Sequence, residues 1–210
     1  MEKEVIVLTM SAKHHGYCVA GVDRESGDWV RLVSSNEDTH GALNDDHVTY
    51  DDGTRCMPLD IVRVEILRPD PQPYQPENQL IDEGASLEKV GQSSMLEVVE
   101  LHQPESYAFI LGNEWPYITE KRVGSVGRSL VLVEVDDLNI YNVEYGEKKR
   151  TKASFQYEGA SYKDISVTDP DFFSLANSWH TRKAFLVMSL PDAPFPDDRY
   201  YKFIAKVFSV

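Results

Sequence analysis

Lys148-Lys149-Arg150 with Lys152 is the one dense basic run of the chain, and Phe155 and Tyr157 follow it at alternating spacing. Positive charge for phosphates beside ring faces for bases is what a single-stranded nucleic-acid groove requires. A lysine-rich hairpin turn after Gly146 and two core aromatics read equally well from the same residues. Earlier in the chain, the segment YQPEN places an amide (Gln75), a carboxylate (Glu77) and a second amide (Asn78) directly after a proline-stiffened stretch. Such groups match the donors and acceptors of a base edge or polar heterocycle, and they also cap helices and lock loops. Thr168-Asp169-Pro170 joins a hydroxyl and a carboxylate at a strand end, where capping of a helical turn is the plain alternative. The loop at 124–129 offers amides for an anion beside Arg128, although it precedes a strand and not a helix.

Established catalytic patterns are missing. The chain has neither GxxxxGK[ST] nor GxGxxG, no HExxH, no GxSxG and no Cys/His set with zinc spacing among its six histidines. His14 and His15 stand beside Lys13 in the first inter-strand connection, as loop surface or ligand contacts. Cys18 lies in an apolar stretch, where it reads as a small hydrophobe. Asp45, Asp46, Asp51 and Asp52 are numerous enough to attract a divalent ion but lack fixed spacing. No catalytic residue, metal or cofactor is therefore assigned.

The formal charge of −14 repels polyanions on average, which disfavours duplex DNA and any extended nucleic-acid surface. That charge is uneven: residues 1–105 carry 21 carboxylates against 8 basic side chains, and the remainder 14 against 13. An anion site belongs more naturally in the second half. Two cysteines, Cys18 and Cys56, and a start without a secretory pattern are expected of a cytoplasmic protein, with no membrane partner.

The elements that must position these groups are short strands. Apolar or alternating runs predict strands over 5–9, 17–22, 29–33 and 59–67, then over 117–122, 130–135, 138–144, 152–157, 160–167, 184–189 and 201–208. Between them, 34–53 reads as an acidic, solvent-facing excursion, 68–76 is broken by four prolines, and 77–90 has room for a short helical turn. A helix is predicted within 93–102 behind Ser93 or Ser94, and a second within 170–178 behind Thr168 or Asp169. The pattern is mainly β, and the length suits two small barrels with one or two short helices, divided as 1–108 and 109–210.

Pieces spread in order along the chain resemble the dual OB-containing domain family, a prokaryotic group of two linked OB-like barrels. They are Thr9-Met-Ser11 with Lys13, Cys18-Val-Ala-Gly21, Trp29-Val-Arg31-Leu-Val-Ser34, Leu59-Asp60-Ile-Val62, Gln75-Pro-Glu77-Asn78, Ser129-Leu130, Phe155-Gln-Tyr157 with Gly159, Val167-Thr168-Asp169-Pro170, Ser189-Leu190 and Lys202-Phe-Ile-Ala205. The resemblance implies OB-like barrels and nucleic-acid or nucleotide sensing, and brings no catalytic site. Combined with the residues themselves, it selects Lys13, Arg31, Gln75, Glu77, Asn78, Thr168, Asp169 and Lys202 as ligand-binding candidates. In this reading Lys13, Arg31 and Lys202 hold anionic groups while Gln75, Glu77 and Asn78 read a ring edge, with some of the candidates converging at the junction of the barrels. A buried polar network is the alternative.

The function expected is a non-catalytic recognition module for a nucleotide or short single-stranded nucleic acid, since a local positive pocket tolerates the overall charge. A scaffold docking a separately encoded basic protein through the acidic first half is the second reading. A divalent-metal-dependent hydrolase or nuclease is the third.

Overall fold

A run of aliphatic residues without a polar break can be covered on both faces. Val5, Ile6, Val7 and Leu8 are covered in this way, each at most 3% exposed. They form the middle of β1 (Glu2–Lys13) in the computed structural model, which describes residues 1–13, 16–146 and 148–210, without the side chains of residues 12, 13, 37, 145 and 148. The chain divides into two compact units, Met1–Gln72 with Pro76–Gln103, and Pro73–Gln75 with Pro104–Val210.

In the first unit β1, β2 (Gly16–Asp23) and β3 (Trp29–Val33) form an antiparallel meander. A Cβ at Gly21 would stand 2.0 Å from the Ile6 carbonyl oxygen, so only glycine lets β2 lie this close to β1. The turn between β2 and β3 is tied by Asp23, whose Oδ1 accepts the Glu25 and Ser26 amides at 2.8 and 3.2 Å. β4 (Asp60–Pro69) returns antiparallel to β1, and β5 (Asn78–Ile81) lies between β4 and β3, parallel to β3. β6 (Glu88–Gln92) extends the sheet beyond β4. The order is β1-β2-β3-β5-β4-β6, with the β1–β4 pairing bringing the circuit back to its first strand.

The stretch 77–90 thus holds β5 and β6 and not the helical turn expected from its sequence. Long-range pairing, of β5 with β3 and β4 and of β6 with β4, outweighs their weak local preference. β4 also runs on to Pro69, two residues into the expected proline break, because a proline at a strand end removes no obligatory ladder bond. The predicted helix is present as α1 (Met95–Leu101). Ser94 Oγ accepts the Glu97 amide at 3.2 Å, and the Glu97 carboxylate accepts the Ser94 amide at 2.7 Å.

In the second unit a 3-10 turn at Ile110–Gly112 precedes β7 (Tyr117–Thr119) and α2 (Glu120–Val123). Its body is a closed five-stranded barrel of β8 (Leu130–Tyr145), β9 (Lys148–Tyr157), β10 (Ala160–Val167), β11 (Trp179–Ser189) and β13 (Phe203–Ser209), in the circular order β10-β13-β11-β8-β9. β12 (Arg199–Tyr201) pairs with β7 outside the barrel. Antiparallel neighbours with one parallel contact, β10 to β13, make this an OB-like barrel. β8 is one long strand where two were expected; it absorbs Asp136-Asp137 as an irregularity with Asp137 at φ 50°. The second predicted helix shrinks to a 3-10 turn, Pro170–Phe172, capped by Asp169.

Phe155 and Tyr157 belong to the barrel core, 2% and 4% exposed. Phe155 stacks on Tyr162 at 5.1 Å. Among the described residues no helix is long and apolar enough to cross a membrane.

Candidate functional site

Strand pairing sets Lys152, Ser166 and Phe203 side by side across β9, β10 and β13, because Ser166 partners Lys152 on one side and Phe203 on the other. Their neighbours Ala153, Ile165 and Ile204 are fully buried in the core, so alternation puts this row, with Arg150, on the outer face of the barrel. There a cleft of about 520 Å³ is lined by Arg150, Lys152, Ser166, Phe195, Pro196, Asp197, Tyr201 and Phe203. It uses the second and third strands of the barrel, the start of the fifth and the stretch before it with β12; in OB folds the faces of strands two and three and the loops beside them take oligonucleotides and oligosaccharides.

Lys152 is 9% exposed; its Nζ donates to Ser166 Oγ at 2.9 Å and, among the described residues, forms no ion pair. Burial, reinforced by the charge of Arg150 and opposed by that of Asp164, holds its ammonium below the ordinary lysine value. Facing these strands is a tight turn, in which the Phe195 amide donates to the Arg199 carbonyl at 2.8 Å and the Asp198 amide to the Phe195 carbonyl at 2.9 Å. The turn presents Phe195, 42% exposed, edge-on to Tyr201 at 5.3 Å and tilted to Phe203 at 6.2 Å. The Tyr201 hydroxyl donates to Asp197 Oδ2 at 2.7 Å, and this bond, with burial, pushes the phenol pKa up. Arg199 lies 3.7 Å from the same carboxylate oxygen and 4.1 Å above the Tyr117 ring. Chemically, the cleft joins two cations and a hydroxyl for an anion, an exposed ring for stacking, and a carboxylate acceptor.

The residues selected from the sequence lie elsewhere. Lys13 ends β1, and its side chain, like His14 and His15, falls outside the described residues. Arg31 on β3 is 3% exposed, with Nη2 donating to Glu77 Oε1 at 3.4 Å and Nη1 to the sulfur of Cys18 at 2.7 Å. Cys18 is accordingly a half-buried acceptor, not an apolar filler. Asn78 opens β5 as the parallel partner of Arg31, so Arg31, Glu77 and Asn78 are brought together inside the first unit. Gln75 is buried in the second unit, its Nε2 donating to the Leu190 carbonyl at 3.2 Å.

Thr168 Oγ1 donates to the Ile204 carbonyl at 3.3 Å. Asp169 is fully buried, its Oδ2 accepting the Val207 amide at 3.0 Å and its Oδ1 facing Lys206 at 3.2 Å. Burial raises its pKa against the pull of Lys206. Lys202 is fully buried as well, donating to the Ile110 carbonyl at 2.8 Å, to Asn113 Oδ1 at 2.9 Å and to the Asn113 carbonyl; burial pushes its pKa down to about 7. None of these described side chains lines the cleft.

Of the other sequence candidates, Arg128 lies 4.1 Å over the Tyr107 ring. Asp45 accepts from Tyr17 and Arg55, and Asp52 from Thr54. Among the described residues no group of three or more His, Cys, Asp or Glu is arranged to hold a metal ion. The basic run supplies Arg150 and Lys152 to the cleft. Ser166, Asp197 and the rings of Phe195, Tyr201 and Phe203 were missed by sequence reasoning; the signal for Phe195 was the Pro194-Phe195-Pro196 triplet, which holds an aromatic in a loop.

The family described as dual OB-containing domain matches residues 3–207. No curated protein and no solved structure matches the chain.

Proposed function

The chain belongs to the dual OB-containing domain family, and from that premise we propose that it is a non-catalytic recognition module whose second unit binds a nucleotide or short single strand in the cleft. In this reading both units are OB barrels, and the phosphate sits between Arg150, Lys152 and Ser166 while the base stacks on Phe195. The observation that carries the reading is Lys152, a nearly buried cation lining an open cleft, hydrogen-bonded to a hydroxyl and, among the described residues, in no ion pair, with only the more distant Asp164 charge favouring it. Keeping such a charge out of water costs stability unless an anion compensates it. A local pocket of this kind also fits the overall charge of −14 better than a long groove does.

Isothermal titration of the full chain with nucleoside monophosphates and single-stranded oligonucleotides tests this. Saturable binding is expected, weakened about tenfold or more by Lys152→Met and about fivefold or more by Phe195→Ala. Full affinity in a folded Lys152→Met variant removes the cleft from the function. Absence of binding across the whole panel turns the assignment to the scaffold reading.

A further inference from the structure

Two opposite charges line the cleft without meeting. Lys152 on β9 and Asp197 in the turn before β12 both face it, yet neither pairs with the other. Asp197 is preset: Oδ2 accepts the Tyr201 hydroxyl at 2.7 Å and lies 3.7 Å from Arg199. Two backbone bonds, at 2.8 and 2.9 Å, fix the turn that carries it. Its other oxygen, Oδ1, receives no hydrogen bond among the described residues, and the side chain is 45% exposed. A ligand that satisfies both groups has an anion at one end, a hydrogen-bond donor at the other and a flat body for Phe195 between them.

Resting on the reading of the cleft as a nucleotide site, we propose that Asp197 is its specificity-determining residue and selects bases that present an amino group, adenine, cytosine or guanine, over uracil. A carboxylate oxygen only accepts hydrogen bonds. The exocyclic amino groups of adenine, cytosine and guanine donate to it. The corresponding edge of uracil flanks its single N–H with two carbonyl oxygens, which a carboxylate repels. Because the turn holds Asp197 in place, the base pays the mismatch and the side chain does not swing aside to relieve it.

The test is titration of the full chain with AMP, CMP, GMP and UMP, for wild type and Asp197→Asn, with melting curves to confirm folding. Wild type is expected to bind the three amino-bearing nucleotides about tenfold more tightly than UMP. An asparagine amide both donates and accepts, so Asp197→Asn brings the four to within about twofold of one another. Four equal wild-type affinities, or an unchanged preference in Asp197→Asn, overturn the assignment of Asp197 and leave the cleft as a nucleotide site. Binding of none of the four overturns the cleft reading, and the selectivity with it.

Discussion

The two units run the same pairing circuit and differ in what they do with one cation. In each, the third strand lies parallel to the fifth, β3 to β5 and β10 to β13, and the pairing gives matching rows: Ala20, Arg31 and Asn78 in the first unit, Lys152, Ser166 and Phe203 in the second. Both rows stand on the face opposite the core residues Val30 and Leu32, or Ile165 and Ile204. In the first unit Glu77, directly before the fifth strand, reaches the cation. In the second, the corresponding stretch, 190–202, which includes β12, delivers an exposed ring and a carboxylate that stays apart from Lys152. Arg31 meets a carboxylate of its own unit, whereas Lys152, in the proposed reading, meets its anion in the ligand.

The sharpest way to break this contrast is Glu77→Ala. It removes the Glu77 carboxylate from the buried Arg31 and is expected to cost about 3 kcal/mol or more in urea unfolding; a loss under about 1 kcal/mol would show that the remaining partners of Arg31 suffice.

Lys202 gives a second handle on the second unit. Its folded pKa of about 7 lies below the ordinary 10.5, so the unfolded chain binds more protons between those values. Stability therefore rises with pH through that window, by at most about 1.4 kcal/mol per pH unit. Urea midpoints of wild type against Lys202→Met at pH 7 and pH 9 check this, with the rise expected in wild type and absent from the variant.

Ser166→Glu imitates the first unit by placing a carboxylate beside Lys152. Nucleotide affinity is expected to fall about tenfold or more while the melting temperature holds. Unimpaired binding would mean that Lys152 does not face the ligand. The smallest effect belongs to Lys152→Met, which removes a nearly buried charge that makes no ion pair among the described residues and is expected to leave folding stability within about 1 kcal/mol of wild type, on the favourable side.

Much of the strand framework could be read directly. Trp29–Val33 and Ala160–Val167 end where their alternating or β-branched runs end. The misses have two physical sources. Asp136-Asp137 and residues 77–90 follow local turn and helix preferences that pairing overrides. On β9, period-two alternation separates Arg150 and Lys152 from Phe155 and Tyr157, so the cations and the rings that follow them in sequence face opposite sides of the barrel wall. The rings that do accompany the cations, Phe195, Tyr201 and Phe203, lie more than forty residues downstream. Only the parallel β10–β13 pairing brings Phe203 alongside, and no local pattern encodes that partner.

The enclosure of Lys202 also makes it a clock. Its amine is fully buried and held by oxygens of Ile110 and Asn113, whereas the amine of Lys183 is on the surface, paired with Glu134. An amine-reactive label reaches Lys183 in the native protein but reaches Lys202 only when the structure around it, which includes Ile110, Asn113 and the Tyr162 ring, opens. The ratio of the two labelling rates therefore counts local openings of the second unit, without denaturant and without any ligand.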